Sequence, residues 1–203
     1  HTEALVNNGI HGIVMLGTIG EGTSLTLSEK VEVLRATVEV AGGKVPVLSG
    51  IAEFTTQGAC DTVKAAGEAG VDGIMLLPAM VYKSDARETI AHFRTVANST
   101  HLPIMCYNNP PVYRVDITPE MFKELIDVEN IVVIKEASGD VRRITELFNA
   151  LNDRFLIFAG LDDVALESFM LGCTGWISGL VDAFPRENRA LWDAAMSGDY
   201  ERA

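Results

Sequence analysis

The sequence predicts an α/β chain built as a parallel barrel, a (β/α)8 barrel of the TIM type. Three observations lead there. Short apolar runs recur at intervals of roughly 20–35 residues, the spacing of a strand, a crossover helix and their loops. The runs are apolar throughout rather than alternating, as expected of strands covered on both faces. Several end in polar or reactive residues at the C-terminal side, where a barrel opens its mouth. No Gly-rich dinucleotide fingerprint follows any run, which disfavours the competing open, doubly wound sheet.

The elements follow in order. "HTEALVNNG" at the start reads as a helix, and "GIVMLG" (Gly12–Gly17) as the first strand. Thr26 and Glu29 form a capping-box pattern before "KVEVLRATVEV". "VPVLSG" (Val45–Gly50) is the second strand, and "AGVDG" (Ala69–Gly73) stops a helix before the third, "GIMLLP" (Gly73–Pro78). His92 lies in the helical pattern "TIAHFRTVA" and is expected as a surface or helix residue. "PIMCYN" (Pro103–Asn108) is the fourth strand. Thr118, Pro119 and Glu120 then supply a cap, a first-turn proline and an early acid. "IVVIKE" (Ile131–Glu136), "FLIFAG" (Phe155–Gly160) and "GWISGL" (Gly175–Leu180) complete the strands. Pro185 opens the last helix, and "DYERA" is expected within a late helix.

An eight-stranded barrel takes ~250 residues, and this chain has 203. The expectation is a single, partial (β/α)8-barrel domain over residues 1–203. It is truncated at both ends, with the first strand and the C-terminal helices missing. Hydrophobic residues make up 48% and charged residues 22%, ordinary for a globular protein in water. No apolar run approaches the ~18 residues needed to span a bilayer. A net charge of −12 argues against nucleic acid or an anionic membrane as partner, since either needs a basic face. Cys60, Cys106 and Cys173 form neither a metal-ligand spacing nor a disulfide framework, so a cytoplasmic location fits. His1, His11, His92 and His101 share no spacing suited to a metal. No P-loop and no Gly-x-Ser-x-Gly elbow is present. Neither metal nor cofactor is expected.

The candidate chemistry begins in "NIVVIKEASGD" (Asn130–Asp140), where four β-branched apolar residues run into Lys135. A lysine amine is nucleophilic only when neutral, and a desolvated site lowers its pKa towards neutrality. A neutral amine attacks a keto or imine carbon to form a Schiff base, an electron sink. The alternative is a buried ion pair with Glu136 or another acid. Tyr107 ends a different strand at similar depth, where a phenol can exchange protons or simply be core. Thr18 sits in "GTIGE" (Gly17–Glu21), a turn whose amides can face a carboxylate or which can merely cap the next segment. "GLDD" (Gly160–Asp163) and "ISG" (Ile177–Gly179) stand at two further strand ends.

Taken together, "GTIGE", "YNNP" (Tyr107–Pro110) and "IKEASGD" (Ile134–Asp140) resemble, in order and separation, the signatures of the dihydrodipicolinate synthase and N-acetylneuraminate lyase superfamily. The resemblance implies a (β/α)8 barrel, a homotetramer, and class I aldolase-type chemistry on a small 2-oxo acid or cyclic imine. It makes Lys135 the Schiff-base lysine, Tyr107 the proton-shuttling tyrosine and Thr18 the first hydroxyl of the turn motif. Ile19 and Gly20 would offer backbone amides to a substrate carboxylate. Ile177 would turn its carbonyl to the substrate, with Gly160 nearby.

The departures carry specificity. Ile19 replaces the second hydroxyl residue of the turn. Ala79 and Met80 stand where the synthases carry adjacent tyrosines, so their inter-subunit relay tyrosine is missing unless Tyr82 substitutes. Val112 stands where they carry an arginine, with Arg114 two residues later. "LLPAMVYKSDARETIAHFR" and "YNNPPVYRVDITPEMF" resemble the 1-pyrroline-4-hydroxy-2-carboxylate deaminases. That resemblance implies deamination of the pyrroline to 2,5-dioxopentanoate and ammonia. The alternatives are a pyruvate-dependent aldolase or lyase and a non-catalytic barrel that binds a keto acid.

Overall fold

All seven apolar runs form strands. The computed structural model describes residues 1–203. In chain order the elements are α1 (Thr2–Asn7), β1 (Ile13–Met15), α2 (Leu27–Ala41), β2 (Val47–Ile51), α3 (Thr56–Ala69), β3 (Gly73–Leu76), α4 (Ala86–Asn98) and β4 (Ile104–Asn108). Then come α5 (Pro110–Tyr113), α6 (Pro119–Lys123), β5 (Ile131–Glu136), α7 (Arg142–Leu151), β6 (Leu156–Ala159), α8 (Ala165–Met170), β7 (Gly175–Trp176) and α9 (Pro185–Met196). The strands form one seven-stranded sheet in sequence order. Every neighbouring pair is parallel. These are seven parallel strands of a (β/α)8-barrel wall, one for each apolar run read from the sequence. No helix is long and apolar enough to cross a membrane.

The caps explain where the helices begin. Thr26 and Glu29 make the reciprocal capping box at α2, Asp85 and Glu88 make another at α4, and Thr118 caps α6 ahead of Pro119. Each satisfies amides that a helix start leaves open.

Side chains alternate between two cores. Met75, Leu77, Met105, Tyr107 and Val133 point into the barrel. Ile74, Leu76, Ile104, Cys106 and Ile134 point outward beneath the helices. Each fully buried aliphatic side chain contributes about 1.5–3 kcal/mol.

One expectation holds in part and another fails. His92 is on α4 but only 4% exposed. Its Nε2 lies 3.0 Å from the Leu77 carbonyl and its Nδ1 lies 3.0 Å from the Thr56 hydroxyl. The imidazole thus ties α4 to the end of β3 and to α3, and burial holds its pKa below the usual range. "DYERA" forms turns rather than helix: α9 ends at Met196, and Gly198 follows with a left-handed φ of +80°.

The β4–β5 seam positions the mouth. Its register sets Tyr107 opposite Lys135 and Asn108 opposite Glu136. The first pair faces inward, the second outward. Asn108 Nδ2 donates to Glu136 (3.0 Å) and Asp116 (3.2 Å), and its Oδ1 accepts from the Ile117 amide (2.8 Å). Arg143 grips Asp116 through two bonds of 2.8 and 3.0 Å. Gly160 completes the seam: a Cβ there would stand 2.7 Å from the Glu136 carbonyl oxygen, so only glycine lets β6 approach.

Asn108→Ala leaves the buried Glu136 carboxylate and the Ile117 amide short of partners. It is expected to lower stability by roughly 2–3 kcal/mol, read as a fall in the urea midpoint with unchanged slope.

Candidate active site

Lys135 and Tyr107 reach the mouth because both end inward-facing positions of neighbouring strands. Lys135 is 6% exposed and Tyr107 7%. The Lys135 ammonium nitrogen lies 3.7 Å from the centroid of the Tyr107 ring. Lys135 makes no ion pair: Glu136 points to the opposite face of the sheet, bonded to Asn108 and to the Ser138 amide. Burial pulls the amine down to about 7, and the Asp162 carboxylate opposes part of that fall. The same dryness pushes Tyr107 up to about 12. Near neutral pH a sizeable fraction of the amine is therefore unprotonated beside a phenol that keeps its proton. That pairing suits attack on a carbonyl carbon followed by proton transfer to its oxygen.

The turn after β1 leaves three consecutive amides unpaired. Leu16 takes a left-handed φ of 60° although it is a buried, branched residue. Its carbonyl packs so closely on Gly50 that a Cβ there would come within 2.6 Å. This kink sends Gly17 to Gly20 across the mouth. The amides of Thr18, Ile19 and Gly20 donate to no protein acceptor, whereas Glu21 N–H returns to the Thr18 carbonyl. Consecutive free amides of this kind form a nest for a carboxylate.

Thr18 does not stand alone. Its hydroxyl makes a close hydrogen bond with the Tyr113 hydroxyl. Tyr113 packs edge-on against Tyr107, with ring centroids 5.5 Å apart and planes at 78°. Asn109 donates to the Tyr107 oxygen at 2.9 Å and accepts from the Val112 amide at 3.2 Å. Sequence reasoning missed Tyr113 and Asn109. The signal was present: Asn109 before Pro110 and Pro111 is a helix-start pattern. It curls α5 so that the Tyr113 amide returns to the Asn109 carbonyl.

The remaining residues divide. Ile177 N–H bonds to the Ala159 carbonyl, and the Ile177 carbonyl accepts no protein bond, so it is free to face the mouth. The Gly160 amide is occupied by the Glu136 carbonyl. Asp162 Oδ2 accepts from the amides of Gly179 (3.2 Å) and Leu180 (3.0 Å), while its buried Oδ1 has no partner. Ile19 is 68% exposed and reaches over to the backbone of Gly179, joining the turns after β1 and β7. Met80 packs against the interior cluster, while Val112 and Arg114 are exposed. The Tyr82 hydroxyl donates to Glu88 at 2.8 Å.

Fold and site together define a class: a parallel barrel wall with a desolvated lysine at its mouth, the arrangement of Schiff-base lyases of the class I aldolase type. The chain belongs to the dihydrodipicolinate synthetase family, whose profile matches residues 2–203. Members of that family are lyases that work through a lysine Schiff base. Among curated relatives, the 4-hydroxy-tetrahydrodipicolinate synthase of Desulforamulus reducens is 37% identical over 196 residues, covering 96% of this chain and 66% of its own length. That of Shewanella baltica is 37% identical over 201 residues, covering 99% of this chain and 68% of its own. The chain thus spans about two thirds of the curated relatives it matches. Among solved structures, the dihydrodipicolinate synthase of Aquifex aeolicus superposes with a TM-score of 0.94 at 34% identity, covering 100% of this chain and 69% of the other. The chloride-inhibited enzyme of Acinetobacter baumannii, complexed with pyruvate, gives 0.95 at 30% identity over the same shares.

Because the Lys135 pKa is lowered, its reactive form is gained as pH rises. Reductive trapping of a keto acid on Lys135 is expected to slow about tenfold per unit below pH ~7 and to level off above it. A rate still climbing towards pH 10 shows an ordinary exposed lysine instead.

Proposed function

We propose that this chain binds a small 2-oxo acid as a Schiff base on Lys135 and catalyses class I aldolase-type making or breaking of a carbon–carbon bond. The observation that carries this reading is the dry, unpaired Lys135 amine held over Tyr107, across the mouth from the free amides of Thr18 to Gly20. Pyruvate is the first candidate, supported by the synthase names of the relatives and by the pyruvate complex of one structural neighbour.

In this mechanism the substrate carboxylate sits on the amides of Thr18, Ile19 and Gly20, with the Ile177 carbonyl as a further polar contact. The neutral Lys135 amine adds to the keto carbon. Tyr107 supplies the proton with which the resulting hydroxyl leaves as water, giving the imine. Loss of a proton from the adjacent carbon gives an enamine, the nucleophile that joins an aldehyde; the reverse sequence cleaves.

The second reading is deamination of 1-pyrroline-4-hydroxy-2-carboxylate, in which Lys135 attacks C2 of the cyclic imine. It is favoured by the apolar residues at the mouth, Ile19, Ala79, Met80 and Val112, where the synthases carry polar groups. A pocket with fewer polar side chains suits one compact ring better than two carboxylated substrates. We further propose a homo-oligomeric, cytoplasmic protein.

Borohydride reduction in the presence of pyruvate is expected to leave an adduct on Lys135 by peptide mass, and none on Lys135→Ala; an unmodified wild-type lysine overturns the covalent reading. Tyr107→Phe is expected to slow turnover by ~10²–10⁴, with an unchanged rate removing Tyr107 from the mechanism. Ammonia released from the pyrroline, without carbon–carbon bond formation from pyruvate and aldehydes, selects the deaminase.

A further inference from the structure

We propose that Tyr113 completes a proton relay within one chain, running from Tyr107 through Tyr113 to Thr18, so that proton transfer at the Schiff-base carbon needs no side chain from a second copy. This rests on the Schiff-base reading of Lys135.

The three side chains lie in sequence. Tyr107 lies against the Lys135 amine. The Tyr113 ring meets the Tyr107 ring edge-on at 5.5 Å; no hydrogen bond joins the two hydroxyls at rest, so a small side-chain shift brings them together for the transfer. At its far side the Tyr113 hydroxyl bonds to Thr18, which is exposed at the mouth. Asn109 fixes both ends of this path. Its Nδ2 holds the Tyr107 oxygen, and its carbonyls, side-chain and backbone, start the turn that carries Tyr113.

The need for a relay follows from burial. A phenolate at Tyr107 is disfavoured in this dry site, so a proton given up must be replaced as it leaves. When the carbinolamine collapses, the Tyr107 proton moves to the departing hydroxyl, which leaves as water. The Tyr113 proton moves to the Tyr107 oxygen, the Thr18 proton to the Tyr113 oxygen, and a water proton to Thr18. One proton crosses from solvent to the leaving oxygen, and all three hydroxyls end as they began. The same path run backwards removes a proton from the site. Of the two other tyrosines, Tyr82 donates to Glu88 and Tyr200 follows the end of α9.

The test uses deuterium exchange at C3 of pyruvate, followed by NMR in D2O, which reads imine and enamine formation without a second substrate. Tyr113→Phe keeps the ring that packs on Tyr107 and removes only the hydroxyl. It is expected to slow exchange by ~10–10³ with little change in the pyruvate concentration giving half-maximal rate. The dependence of the rate on the deuterium content of the solvent should also fall towards that of a single moving proton. Borohydride should still trap the adduct at long times.

Location within the chain is tested by co-expressing Tyr113→Phe with Lys135→Ala chains. A relay confined to one chain predicts no recovery, because every site lacks one member. Recovery of exchange in the mixture places Tyr113 at a neighbour's site and overturns the proposal, as does a wild-type exchange rate in Tyr113→Phe alone. A wild-type protein that traps no pyruvate refutes the Schiff-base reading itself, whereas normal trapping with an unaffected variant refutes only the relay.

Discussion

The register between β4 and β5 is the constraint on which the site depends. Strand side chains alternate, so the pairing that aims Tyr107 and Lys135 inward also aims Asn108 and Glu136 outward. A slip of one residue would exchange the faces. The amine would then lie among the helices and a carboxylate would stand in the mouth. The outward hydrogen bonds of Asn108 to Glu136, Asp116 and the Ile117 amide oppose that slip. Polar groups on one side of the sheet thereby hold the chemistry on the other.

A single physical cause prepares both reacting groups. Removal from water lowers the lysine and raises the tyrosine, because in each case it is the charged form that loses hydration. The proposed nucleophile and proton donor are thus both shifted towards their neutral forms. Asp162 moderates the effect: its charge returns some basicity to Lys135 without standing close enough to form an ion pair. An acid in direct contact would have left the amine protonated.

Much of this was legible in the chain alone. Each strand grows from a short apolar run, and α2 and α6 begin on Thr caps, so order and class could be read locally. Lys135 stood out because a charge at the end of "IVVI" contradicts its surroundings. What escaped were properties made by return paths of the chain. Tyr113 reaches Tyr107 only because α5 makes one turn after Asn109. His92 was readable as a helix residue but not as a buried one, because its partners, Leu77 and Thr56, lie far away in sequence. "DYERA" has the composition of a helix, yet it follows a glycine that breaks the path. The family was legible in its motifs. Substrate choice was not: the effect of the side chains proposed to bear on it, Ile19, Ala79, Met80 and Val112, depends on what else meets at the mouth.

The turn after β1 presents its donors from the main chain, aimed by the kink at Leu16 and the close contact with Gly50. Substitution changes side chains and leaves peptide N–H groups in place, proline excepted. On the proposed reading, residue 19 can therefore change, from a hydroxyl to the isoleucine found here, while the main-chain donors that would hold an acid group stay in place. The cost of exploring new substrates would fall on the rim, and recognition of a 2-oxo acid head would be inherited with the backbone. One scaffold can in this way diversify in what it joins or cleaves without first losing what it holds.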